Sequence, residues 1–348
     1  MRVRLHQGER RVLWVDDVVI DDDGGPVDEE VQVDRGVLSA PLIDLQGDVA
    51  GAAAAEAGFG LVLPRAGVSR PGAGRVGALT VDRAGSDIAD HGLLRDAGAL
   101  CLSDGDAAHD DLEVLLGAAR WAASVGLPIL ARPGVGALER GMVRAGPEAV
   151  RRGLPQVFAE SEALGVHRWA TIARMSGARV HLLPLWSALG VKAVMAEQDA
   201  GAPISAGTTP HHLTLEAPLD EGRHAWRCWP VLGDVADRQA LLEAIEQGRV
   251  TTLSTGSRAV ASHQVQTPLV DQVPRAPSPQ QAVGRAVELL GAARVAQLFH
   301  EGPRQLLGLP EMPHGLVWLD HTPGVAPGLS LGSPIPHGIR RTWGQLTA

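Results

Sequence analysis

Lysine, tyrosine and cysteine are almost missing from this chain of 348 residues. Lys192 is the only lysine, tyrosine is absent, phenylalanine occurs three times, and Cys101 and Cys228 are the only cysteines. Two cysteines with no C-x-x-C spacing cannot form a disulfide framework and suggest a reduced, cytoplasmic setting. No apolar run approaches the ~20 residues that a membrane helix needs. No apolar stretch follows Met1-Arg2-Val3-Arg4, so no signal peptide is visible. A net charge of −9 lacks the basic footprint expected of a nucleic-acid binder. Positive charge is carried almost wholly by arginine, a bias that fits the abundance of Ala, Gly and Arg codons. Hydrophobic residues at 45% and charged residues at 20% are ordinary globular proportions and exclude disorder or coiled coil as a global description. A chain this long can bury a large core without disulfide or metal staples.

Residues 1–40 read as short β-strands. Val12-Leu13-Trp14-Val15 and Val18-Val19-Ile20 are apolar runs, and Asp21-Asp22-Asp23-Gly24-Gly25-Pro26 is a turn. From Pro41 the pattern alternates. Strands are predicted at 42–45, 58–64, 99–102, 127–130, 179–185, 203–206 and 250–254. Helices fall at 50–58, 88–97, 111–125, 161–176, 192–200, 237–247 and 280–290, with others near 292–299 and 303–307. Strand–helix alternation with apolar strands implies a parallel sheet covered by helices. Seven or eight such units fit an α/β fold of the (β/α)8 TIM-like barrel type. A doubly wound open sheet is weaker, because Gly72-Ala73-Gly74-Arg75-Val76-Gly77 lies in a loop without the strand-then-helix context of a dinucleotide site. Beyond His314 the chain is β-like again. The expected organisation is a small β-sandwich-like domain from residues 1–40 and 315–348, and a barrel from 41–314.

Laid out this way, the chain resembles the dihydroorotase family of the amidohydrolase superfamily. Pro41-Leu42-Ile43-Asp44-Leu45 is similar to its first barrel strand, and Gly153-Leu154-Pro155 with Ala159-Glu160 to its central segment. Thr209-Pro210-His211-His212-Leu213 is close to its TPHHL motif, and Gly332-Ser333-Pro334-Ile335-Pro336 resembles its closing turn. The resemblance implies the amidohydrolase type of barrel. It also implies zinc, which supplies hydroxide and polarises an amide carbonyl in the cyclisation of carbamoyl aspartate to dihydroorotate in pyrimidine biosynthesis.

The motifs that hold that metal are mostly changed here. Gln46-Gly47-Asp48 stands where the family has His-x-His, and Val49-Ala50 where a substrate-gripping arginine follows. Asp104 matches a ligand aspartate, Arg132 replaces a ligand histidine, His211 matches the histidine of TPHHL, and Gly256 replaces the catalytic aspartate. Pro64-Arg65-Ala66 displaces a substrate-side asparagine. At most Asp104 and His211 survive, whereas zinc needs at least three protein ligands. Lys192, in a helical stretch, cannot serve as a carboxylated bridging lysine at a strand end. Arg132 would repel a divalent cation and is expected to pair with Asp48, Asp104 or Asp106 through its fork of donors.

Each of these residues has a structural role to set beside a functional one. His181 within Val180-His181-Leu182 suits a hydrogen-bonded core histidine. Ser254-Thr255-Gly256-Ser257 lacks a visible base for a nucleophile. Cys101 on a strand suits a small apolar core residue. Trp186, Trp226 and Trp229 stand where barrel-top loops belong, as plugs of the old pocket or as a partner surface. The expectation is a catalytically inactive dihydroorotase-like protein without cofactor. It would act in a homo- or hetero-oligomer, and the resemblance implies aspartate carbamoyltransferase as partner. One alternative is an active cyclic amidohydrolase with a single zinc held by Asp48, Asp104, His181 and His211. The other is a metal-free pocket that grips a small anion with Arg132, Arg258, Trp229 and Arg65. Neither nucleic acid nor membrane is an expected partner.

Overall fold

The structure is a computed structural model, and it describes residues 2–7, 10–15, 18–33, 36–49, 52–65, 75–216, 227–258, 273–310, 316–322 and 337–343. The chain divides into two compact units. Unit 1 is 1–62, 253–258 and 277–348, and unit 2 is 63–252 and 259–276. Both segments expected to form the small β domain, 1–40 and 315–348, fall in unit 1, together with 41–62, 253–258 and 277–314.

Unit 1 opens with β1 (Arg2–Gln7), β2 (Arg10–Val15), β3 (Val18–Asp21), β4 (Glu29–Gln32), β5 (Val37–Ser39) and β6 (Leu42–Asp44). Helix α1 (Ala52–Glu56) and β7 (Phe59–Val62) follow. The first four strands form one sheet in the order β3-β2-β1-β4. Alternation along β1 sends Val3 and Leu5 to the interior, where they meet Val12, Val33, Leu38 and Trp318. Strands β6 and β7 pair in parallel, Leu42 opposite Phe59.

Unit 2 begins with β8 (Val76–Gly77), α2 (His91–Asp96), β9 (Cys101–Leu102), α3 (Leu112–Val125) and β10 (Ile129–Ala131). Then come β11 (Val143–Arg144), α4 (Pro147–Arg151), β12 (Gln156–Val157), α5 (Ala159–Ser176), β13 (Val180–Leu182), α6 (Ala188–Asp199) and β14 (Ile204–Thr208). Helices α7 (Pro210–Thr214) and α8 (Val235–Glu246) precede β15 (Thr252–Leu253). The main sheet runs β15-β14-β13-β10-β9-β8, with parallel pairing from β8 through β14. Its strands are buried except at Ser205 of β14, as a parallel sheet requires, and Cys101 is a fully buried thiol. Asp111 caps α3 by accepting from Glu113 N and Val114 N, and Gly126 ends it in a left-handed conformation. The small parallel pair β11–β12 and helix α4 were not expected. They lie in the 140–157 stretch, whose Gly, Pro and Arg content hides two-residue strands.

The chain then returns to unit 1 through α9 (Pro279–Leu290), α10 (Ala292–Ala296), α11 (Gly302–Leu307), β16 (Leu316–Thr322) and β17 (His337–Trp343). Strand β16 pairs antiparallel with both β5 and β17. Helix α9 starts at a Ser278–Gln281 capping box and is tied to α1 by Gln280 Nε2 donating to Ala53 O at 2.8 Å. Phe59 and Phe299 meet edge to face at 5.5 Å. The loop at Gly72-Ala73-Gly74 and the turn at 332–336 lie outside the described residues.

Candidate functional site

Strand β10 delivers Arg132 into the interior of unit 2, where it is 5% exposed. Its guanidinium pairs with Glu139, donates from Nε to the main-chain carbonyl of Asp106 at 2.7 Å, and lies 5.1 Å over the ring of Trp229. This corrects the expected partners. The Asp106 carboxylate is held instead by Arg65 at 2.9 Å. Asp104 is occupied from all sides. It accepts from Leu79 N at 2.9 Å, Thr80 N at 3.1 Å and Thr80 Oγ1 at 2.6 Å, with His109 Nε2 at 3.0 Å. Those contacts use the lone-pair capacity of a carboxylate, so none is left for a guanidinium. Asp48 belongs to unit 1 and is exposed. Between Asp104, His109, Arg132 and Arg168 lies a cavity with room for about one water molecule. Glu139, the residue that neutralises Arg132, carried no signal in the sequence. It follows Arg132 by seven positions across Gly134 and Gly136, and only the fold of that loop brings it back.

His181 and His212 are held by hydrogen bonds on both ring nitrogens. His181 is fully buried on β13, with Nδ1 2.8 Å from Ser205 Oγ and Nε2 2.8 Å from Thr252 Oγ1. Burial holds its pKa down at about 3. His211 and His212 are buried at the start of α7, with ring centroids 4.6 Å apart. His212 Nδ1 lies 2.8 Å from Thr209 Oγ1, and Nε2 faces the carbonyls of Pro230 and Val231. Burial takes its pKa down to about 4. Trp186 is buried rather than loop-exposed. It packs with Val157, Ala159 and Val231, and half-buried Trp229 covers this cluster. Trp226 lies outside the described residues.

In unit 1 the end of β6 is strapped to the 253–258 segment. Gly256 N donates to Gln46 O, and Asp48 N to Ser257 O, each at 3.1 Å. Buried Asp44 accepts from Thr255 N at 3.0 Å and also binds Thr255 Oγ1. Gln46, Asp48 and Gly256 are therefore neighbours. Gly256 adopts φ +62°, a conformation glycine takes without strain. Buried Gln46 Oε1 and Ser257 Oγ have no hydrogen-bond partner among the described residues. Arg258 closes the segment, half-buried.

These donor sets do not fit a catalytic zinc. Among the described residues no group of three or more His, Cys, Asp or Glu is arranged to hold a metal ion. In unit 2, Asp104 is saturated by hydrogen bonds and Arg132 adds a fixed positive charge. In unit 1, an amide, an exposed carboxylate and a glycine stand at the other positions. For the single-zinc set, His181 would have to surrender Ser205 or Thr252. For an anion, the Arg132 guanidinium already holds Glu139.

Among solved structures the chain is similar to an L-hydantoinase (dihydropyrimidinase) from Arthrobacter aurescens. The TM-score is 0.72 at 14% identity, with 92% of this chain and 86% of that one covered. A D-hydantoinase from a Bacillus sp. AR9 gives 0.71 at 13% identity, covering 99% and 92%. Parallel strands alternating with helices, and these neighbours, define an α/β barrel fold. In sequence the chain is 32% identical over 253 residues to a dihydroorotase of Thermus aquaticus, covering 68% of this chain and 58% of that protein. It is 31% identical over 251 residues to a dihydroorotase of Mycobacterium leprae (strain TN), covering 69% and 58%. In sequence the chain is thus similar to dihydroorotases, and the match spans 58% of these relatives' length. No family model matches it.

Proposed function

We propose that this chain is a catalytically inactive dihydroorotase-like protein that serves as a structural or regulatory partner in pyrimidine biosynthesis. The observation that carries the proposal is the buried Arg132–Glu139 pair. A fixed cation with its own internal counter-ion stands where the resemblance implies a metal ligand, and the surviving aspartate, Asp104, is consumed by its neighbours. Gly256 has no side chain to act as base. With hydroxide source, Lewis acid and base all unsupported, the preserved barrel is left as a scaffold. Aspartate carbamoyltransferase is the proposed partner.

The test is metal analysis of the purified protein, with a dihydroorotase assay in both directions on the same sample after zinc is added. The expected outcome is sub-stoichiometric metal and no turnover, with co-purification of aspartate carbamoyltransferase from its own cells. Stoichiometric metal or zinc-dependent turnover would overturn the proposal. No helix among the described residues is long and apolar enough to cross a membrane.

A further inference from the structure

Helix α5 carries a second buried acid, Glu162, that plays no part in the corner around Arg132. It is fully buried and faces the first residues of α6. Its Oε1 accepts from Trp186 N at 2.9 Å, and its Oε2 accepts from Ser187 N at 2.9 Å and lies 2.5 Å from Ser187 Oγ. Ser187 is the N-cap of α6, its Oγ accepting from Gly190 N at 3.0 Å. Gly190 packs so closely that a Cβ there would overlap Glu162 Oε2. The carboxyl has no room to turn away.

We propose that the junction between α5 and α6 is a proton-sensitive joint, in which a neutral Glu162 carboxylic acid donates to Ser187 Oγ and its ionisation reverses that bond. Among the described residues no cation pairs with Glu162. Of the charged groups around it, Glu139 repels it, and Arg132 is committed to Glu139. Arg168 is committed to Asp110 and the Gly134 carbonyl. From α8, Asp237 accepts from Ala188 N at 2.9 Å and is itself paired with Arg144. Burial lifts Glu162 to about 8, outweighing the hydrogen bonds from Ser187 Oγ, Trp186 N and Ser187 N, which favour the charged form. On ionisation the Glu162 O–H bond breaks and the proton leaves to bulk water. The Ser187 hydroxyl, free to rotate, then donates to the carboxylate. Trp186 donates its backbone N–H to the same carboxyl and packs with Val157, Ala159 and Val231, so its indole reports the change.

The test is infrared titration of the full chain from about pH 5 to about pH 10, with tryptophan emission followed in parallel. An ordinary carboxylic acid is ionised well below neutrality. The expected result is therefore one protonated-carboxyl carbonyl band that persists at pH 7 and vanishes near pH 8 together with a change in emission. Both are lost in Glu162→Gln. Absence of the band at pH 7 in wild type, or its survival in Glu162→Gln, would overturn the proposal. Should Glu162→Gln not fold, Ser187→Ala decides. Removing the hydroxyl that donates to the charged form should move the midpoint up, whereas an unmoved midpoint would overturn the assignment of that bond.

Discussion

Arg132 shows how one buried charge organises its surroundings. A guanidinium buried to 5% exposure is tolerable only with a counter-charge and satisfied donors, and Glu139 and the Asp106 carbonyl supply both. Attraction within a buried pair is partly offset by the desolvation of two ions, so the pair need not add net stability, but breaking it is costly. Arg132→Ala should lower unfolding free energy by about 3–5 kcal/mol, because Glu139 is left charged and unpaired. The double change Arg132→Met with Glu139→Leu should recover most of that loss. Urea unfolding of the single and double variants measures both. Equal destabilisation by the single and the double changes would mean that Arg132 acts through packing on Trp229 instead. The sequence showed Arg132 but not its partner, because an acid seven residues away across two glycines has no periodic relation to it.

At the scale of elements, position depends on close approaches that residue propensities do not reveal. Gly165 lies in the middle of α5, where alanine would ordinarily improve helix propensity by about 1 kcal/mol. Here a Cβ would lie 2.5 Å from Gly134 N and 2.6 Å from Pro133 C, backbone atoms in the loop that follows β10. Gly165→Ala should therefore destabilise, reversing the propensity effect, by about 1–3 kcal/mol as overpacking does. It should also disturb Arg132, which sits next to that loop. A thermal denaturation series compares the two effects, and unchanged or raised stability would show that the loop can yield. Helix α6 is held in the same manner by acids from two other helices, Glu162 of α5 and Asp237 of α8. Most helices and strands were legible from apolar spacing and caps, whereas β11, β12 and α4 were too short to leave a pattern.

For the whole molecule, buried titratable groups shape stability against pH. His181 and His212 are held down at about 3 and about 4 from an ordinary 6.5, and Glu162 is raised to about 8 from 4.5. Below pH 6.5 the unfolded chain binds the histidine protons that the folded chain refuses, so stability falls as pH falls. From 4.5 to 8 the folded chain holds the Glu162 proton that the unfolded chain has released, so stability falls as pH rises. These two histidines, joined by His91, which burial also lowers, outweigh the one acid between 4.5 and 6.5, and the acid prevails at higher pH. Stability should peak near pH 6.5 and decline toward pH 8 by up to about 1.4 kcal/mol per pH unit. Urea unfolding at stepped pH measures this, and a profile that rises between 6.5 and 8 would contradict it.

By itself the sequence determined the barrel type, the likeness to dihydroorotases, and the residues Gln46, Asp48 and Gly256 that stand where that likeness implies metal-site side chains. These are matters of residue identity and hydrophobic period, which need no third dimension. Tertiary structure alone decided where each remaining charge goes. Arg132 turned to Glu139 rather than to an aspartate, and Asp104 was filled by Thr80, Leu79 and His109. Glu162 was left without a cation, and His181 was locked between Ser205 and Thr252. Burial makes an unpaired polar group expensive, so every interior donor takes whichever acceptor folding brings within reach, and that reach is set by packing across distant segments.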